Sequence, residues 1–157
     1  MNDPLLAVVY TLNVFCAALW AGGLAVVWIG ELPLLRRLDY VRYVEAKQIM
    51  DKSLTPYMGG LLFAVALSAF GVVLLTARSA TPRTFNLALA GLLLHLAQMA
   101  STLAINVPIN IAVSKWSATS PPAGWERMRA RWATFHVMRT VLSLVALLCF
   151  IASAVWT

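Results

Sequence analysis

An all-α bundle of four membrane-crossing helices is the fold this sequence predicts, and three observations carry the prediction. Of 157 residues, 61% are hydrophobic and only 11% charged, with a mean hydropathy of +0.80, too apolar for the surface of a soluble domain of this size. Residues 4–30, 53–77, 84–114 and 140–157 contain no Asp, Glu, Lys or Arg, and each run is long enough for the ~20 residues that cross about 30 Å of hydrocarbon. The cations are also lopsided. Arg36, Arg37, Arg42, Lys47 and Lys52 fall between the first two runs and Lys115, Arg127, Arg129 and Arg131 between the last two, against Arg78 and Arg83 in the middle. With four spans, about 5–29, 55–77, 85–107 and 135–156, the chain is a single integral membrane domain over 1–157. The positive-inside rule puts the first and third connections in the cytoplasm and the termini outside, as in a bacterial inner membrane.

The start, Met1-Asn2-Asp3, lacks the basic residues of a secretory leader, and the first run is too long for one, so the first span is expected to remain. That span carries Tyr10, Asn13, Trp20 and Trp28 and ends at Glu31 and Pro33. Trp20 and Glu31 are eleven residues apart, three helical turns, and share a face. Glu31 is solvated at the headgroups or partners a cation of the third connection. Residues 34–53 place Leu34, Leu35, Leu38, Val41 and Val44 among charges, the pattern of one amphipathic helix between spans one and two, with most of its charges on a solvated face. Pro56 is expected to stop that helix, and the second span reads as scaffold.

The third span differs. His95, Gln98, Thr102 and Asn106 recur at steps of three, four and four and form a polar stripe inside the hydrocarbon. Depth alone pairs His95 with Asn13. The span ends in NVPIN, where Pro108 cannot donate to the carbonyl of Ala104; an opened carbonyl bracketed by Asn106 and Asn110 is the expectation, a simple helix stop the alternative. Cys16 and Cys149 lie inside apolar spans without CxxC spacing and read as small buried side chains.

The most informative stretch is WERMRARWATFHVMRT, residues 125–140. Trp125, Arg129, Trp132, His136 and Arg139, at steps of four, three, four and three, share one helix face that alternates flat rings with cations and an imidazole. Arg139 falls near the inner membrane boundary, where a guanidinium facing inward needs a carboxylate, a carbonyl or a bound anion; Glu31 is the candidate partner. The net charge of +6 fits a juxtamembrane surface near anionic lipid, not nucleic acid, because no soluble basic domain is present.

At NVPIN and WERMRARWATFHVMRT the sequence resembles the anthrone oxygenase-like family of small four-helix membrane proteins, and Pro33, Gln48 and Pro56 extend the likeness over essentially the whole chain. The family often has an aromatic next to the histidine, here Phe135. The resemblance implies oxidation of an anthrone to an anthraquinone with dioxygen and without a cofactor, an activity tied to polyketide pathways; many members have no assigned reaction. On that reading His136, with His95 second, is the base that removes the central methylene proton. Arg139 and Arg129 stabilise the oxyanion with Asn106 or Asn110, while Trp125, Trp132 and Trp20 wall the planar guest beside Glu31. No metal ligand set is expected and no Rossmann or P-loop glycine pattern is present; the partners are the bilayer, a small aromatic substrate and dioxygen. Two alternatives compete: a non-catalytic membrane partner or stability subunit anchored by a Trp-Arg belt, and a metal or quinone site built from His95, His136 and Glu31.

Overall fold

The computed structural model describes residues 3–157, so the Met1-Asn2 start that bears on a leader lies outside the described residues. Four helical rods are long and apolar enough to cross a membrane. The first joins α1 (Pro4–Val26) through a π-helical turn, Val27–Glu31, to α2 (Leu32–Arg37); the second is the single helix α3 (Tyr40–Ser79). In the third, α4 (Pro82–Ser101) passes through a second π turn, Thr102–Asn106, into α5 (Val107–Val113); α6 (Trp125–Val155) is the fourth. The helix ends carry their own signals. Asp3 accepts from the amide of Leu5 at 2.9 Å to start α1, Asp39 from that of Arg42 at 3.0 Å to start α3, and Gly124, at φ +80°, turns the chain into α6.

The rods pack with α4 against α6, α1 against α3 and α6, and α3 against α4. Burial is inverted relative to a soluble bundle: Phe15, Leu67, Phe70 and Leu148 are exposed, while Ala17, Ala21, Ala69, Ala88 and Ala146 are buried. Lipid tails are as apolar as Leu, so helix association here rests on close packing of small residues and on interhelical hydrogen bonds. Trp20 Nε1 donates to Ser143 at 3.0 Å, Tyr10 and Ser153 share a 2.6 Å bond, and Ser153 donates to the carbonyl of Thr84 at 2.8 Å. The tightest approach is at Gly91, where an added Cβ would lie 2.5 Å from the ring of the fully buried Phe150. Gly91→Ala is therefore expected to destabilise the bundle by about 1–3 kcal/mol, the usual cost of overpacking, read as a lower Tm in detergent micelles; an unchanged Tm would show that Phe150 has room to move.

Prolines do not act as the sequence suggests. Pro56 was expected to stop the amphipathic helix, but α3 runs through it and fuses that helix to the second span. Pro56 and Lys52, whose carbonyl loses its donor, are both exposed, so that carbonyl does not have to find a partner inside the bundle. The third rod neither stops nor unwinds at NVPIN. The amide of Val107 bonds to the carbonyl of Thr102, five residues back, and the wider turn makes room for Pro108. The first rod repeats the device: Leu32 bonds to Val27 just before Pro33. A π turn inside an α-helix relieves a proline without ending the helix, and such turns gather at functional sites.

Candidate functional site

Between the four rods, at their basic end, lies a cavity of about 330 Å³, within the range of small-ligand pockets. Trp20, Leu24, Met58, Leu62 and Trp132 make its walls mostly apolar, and Asp51, Thr102, Asn110, His136 and Arg139 supply its polar groups. Tyr57, Phe63 and Leu103, also in the wall, are about half exposed on the apolar outer surface, so the cavity opens sideways between α3 and the third rod.

The five-residue stripe of α6 divides into two. Trp132, His136 and Arg139 are buried at 2%, 1% and 9% exposure and line the cavity. Trp125 and Arg129 do not. Arg129 donates to the carbonyl of Leu38 at 2.9 Å and lies 4.6 Å from the Trp125 ring centroid, while Trp125 packs edge-on to Tyr40 at 5.1 Å. These two lock the turn between α2 and α3 onto α6 and do not line the cavity, so the structure does not bring them together with Trp132, His136 and Arg139.

Both ring nitrogens of His136 are hydrogen-bonded. Its Nε2 lies 3.1 Å from the carbonyl of Leu24, and since a carbonyl only accepts, Nε2 carries the hydrogen. The remaining lone pair, on Nδ1, accepts from Arg139 Nη2 at 2.8 Å. With its ring stacked on Trp132 at 5.1 Å and 25°, the imidazole aims the guanidinium. This geometry places His136 as a support for Arg139 in the cavity wall, with its lone pair turned to the guanidinium and not to the open space. His95 follows the same logic: Nε2 donates to the carbonyl of Leu62 at 3.0 Å, and Nδ1 accepts from Gln98 at 3.2 Å. It lies outside the cavity wall and holds the backbone of Leu62, which is a wall residue. Its expected bond to Asn13 is not made; Asn13 Nδ2 donates to Ser68 at 3.1 Å.

Arg139 carries no carboxylate within ion-pairing distance among the described residues. Among the described residues its side chain hydrogen-bonds, besides His136, only Thr102 Oγ1, at 3.5 Å, and its Nε has no partner. Glu31 is not its counterion and does not line the cavity; one Glu31 oxygen is buried without a partner. Depth had placed the two together, but the π turn rotates the end of the first rod, and sequence spacing cannot register that rotation. Asn106 stands behind Trp132, its amide nitrogen donating to the Trp132 carbonyl at 3.2 Å, and does not line the cavity. Asn110 and Trp20 do line it.

Two residues that the sequence does not single out belong here, Asp51 in the cavity wall and Lys47 bonded to it. Lys47, on α3, has no exposed surface; its Nζ bonds to both oxygens of Asp51, donates to Asn110 Oδ1 at 2.9 Å and sits 4.4 Å from the Trp132 ring centroid. The signal was present, because Lys47 lies four residues after Tyr43 and three after Val44, both fully buried, on the inward face of the amphipathic helix. Among the described residues no group of three or more His, Cys, Asp or Glu is placed to hold a metal ion, so His95, His136 and Glu31 do not form a ligand set.

A family model described as anthrone oxygenase matches residues 47–149, about two thirds of the chain. The chain belongs to the anthrone oxygenase family. The matched stretch begins at Lys47 and takes in Asp51, Thr102, Asn110, Trp132, His136 and Arg139, so the polar groups of the cavity all lie within the part that anthrone oxygenases share with this chain. No curated protein and no solved structure matches it.

Proposed function

We propose that the protein is an oxygenase that takes a flat, anthrone-like aromatic as its anion and delivers it to dioxygen. One observation carries the reading: the Arg139 guanidinium is buried in the wall of an aromatic-lined cavity with no carboxylate within ion-pairing distance among the described residues, the one acid of that wall, Asp51, being paired with Lys47. A cation out of water seeks an anion, and a delocalised one bears its charge on a carbonyl-derived oxygen that a guanidinium can hydrogen-bond. The central methylene of an anthrone loses a proton to give such an anion. Oxygen adds at that carbon, the electron pair comes from the anion, and loss of water from the hydroperoxide leaves the quinone carbonyl. The balance is anthrone plus dioxygen giving anthraquinone plus water. Arg139 stabilises the charge as it develops, His136 holds Arg139, and Trp20 and Trp132 flank the ring.

The excess of Arg and Lys at this end of the bundle supports an inner-membrane orientation with the site near the cytoplasmic boundary. The sideways opening of the cavity suits a substrate dissolved in the bilayer. Dioxygen uptake by proteoliposomes supplied with anthrone is the test; uptake no faster than from empty liposomes would reject the activity. His136→Ala is expected to lower kcat/KM by about 100-fold through loss of Arg139 alignment, while the pH dependence of residual turnover keeps its parent shape. Disappearance of an ionisation from that profile would return His136 to the role of base.

A further inference from the structure

Reaction of an anthrone requires a group that accepts the methylene proton, and both histidines have their lone pairs committed. The titratable side chains in the cavity wall are Asp51, Tyr57, His136 and Arg139. Tyr57 is a phenol half exposed at the outer opening, and Arg139 is a cation without an acceptor atom. Asp51 alone offers carboxylate lone pairs beyond those that bind Lys47.

Asp51 also faces a second cavity, of about 470 Å³, whose wall includes Gln48, Lys52, Thr55, Asn110 and Ser114. Asp51, Thr55, Val107 and Asn110 belong to both walls. Lys52 and Ser114 are exposed in this wall, as is the apolar Ile111, so the second space reaches the surface beside polar side chains, whereas the exposed wall residues Phe63 and Leu103 of the first are apolar. The carboxylate stands at the partition between them.

We propose that Asp51 is the catalytic residue that takes the methylene proton and releases it to water through the second cavity, an inference that rests on the oxygenase reading above. The C–H bond breaks, an O–H bond forms on Asp51, and the electron pair stays on the substrate, which becomes an anion against Arg139. The charge of the site is unchanged by the step. One negative charge moves from Asp51 to the substrate between the fixed cations Lys47 and Arg139, which avoids bringing a net charge into a low-dielectric space.

The step can be observed without oxygen. Anthrone is incubated anaerobically in deuterium oxide with proteoliposomes, and deuterium entering its methylene is followed by NMR, while binding of anthraquinone is read from quenching of tryptophan fluorescence. Asp51→Asn is expected to lose at least about 100-fold of the protein-catalysed exchange, in line with removal of a general base, and to keep anthraquinone binding; Asp51→Glu retains part of the exchange. Because Asp51→Asn leaves Lys47 without its counterion, Lys47→Met/Asp51→Asn is measured beside it and is expected to be folded and equally slow. Exchange at the parent rate in either Asn variant, or dioxygen uptake by the parent without exchange, would overturn the assignment. A parent that neither exchanges nor consumes dioxygen would instead overturn the oxygenase reading itself.

Discussion

Replacing Arg139 by glutamine is expected to lower anthrone-dependent dioxygen uptake by about 100- to 1,000-fold, the cost of removing one preorganised donor from an oxyanion site. The bundle should survive, because the guanidinium makes no ion pair among the described residues and its one short bond is to His136. Glutamine is long and polar enough to face the cavity, yet it cannot balance the anion's charge. Arg139→Lys should rescue little. An ammonium keeps the charge, but it is a compact point donor that cannot meet His136 Nδ1 and a substrate oxygen in the planar arrangement a guanidinium allows. Turnover within a few-fold of the parent in the glutamine variant would mean that the anion is held elsewhere.

The largest expected effect on stability lies at Lys47. Lys47→Met removes a buried cation that bonds to both oxygens of Asp51 and to Asn110, leaving a mostly buried carboxylate and a carboxamide oxygen without their donor. Breaking one side of a buried pair costs about 3–5 kcal/mol, whereas removing both sides together is often near neutral. Unfolding in detergent should therefore show a large loss for Lys47→Met and a recovery of most of it in Lys47→Met/Asp51→Asn. Equal losses in the two variants would show that the packing of the lysine stem against Trp132, and not its charge, holds this part of α3 in place.

The four-rod fold was legible in the sequence because its signal is coarse: runs free of charge must cross the bilayer as helices, since only a helix satisfies its own backbone there. What failed was local. Pro33, Pro56 and Pro108 each read as a break, yet two are absorbed by π turns and one by an exposed helical turn. Whether a proline ends a helix depends on whether its orphaned carbonyl can be satisfied or the turn can widen, and tertiary packing decides that.

The site was half legible. Periodicity placed Trp132, His136 and Arg139 together on an inward face, and they are there. The same periodicity added Trp125 and Arg129, which share the face but lie one and two turns further along, where α6 meets the α2–α3 turn and not the cavity. Pairings drawn from depth alone, Glu31 with Arg139 and Asn13 with His95, were wrong because equal depth leaves the rotation of each helix undetermined. A count of charges places Lys47 with the interfacial cations, although its spacing from Tyr43 and Val44 sets it on the buried side. Asp51, one helical turn on, is among the described residues the one carboxylate of the cavity wall, and nothing in its spacing sets it apart from its charged neighbours.

A binding comparison bears most directly on the guanidinium of Arg139, which makes no ion pair among the described residues. Two flat tricycles of nearly equal size, anthracene-2-carboxylate and the neutral anthracene-2-carboxamide, can be titrated into the same proteoliposomes by fluorescence, with the parent and with Arg139→Gln. The parent should bind the carboxylate at least about ten-fold more tightly, a difference of ~1.4 kcal/mol, and the glutamine variant should bind both alike. Equal affinities in the parent, or a preference for the anion that survives loss of Arg139, would contradict the assignment of this cavity as an anion site.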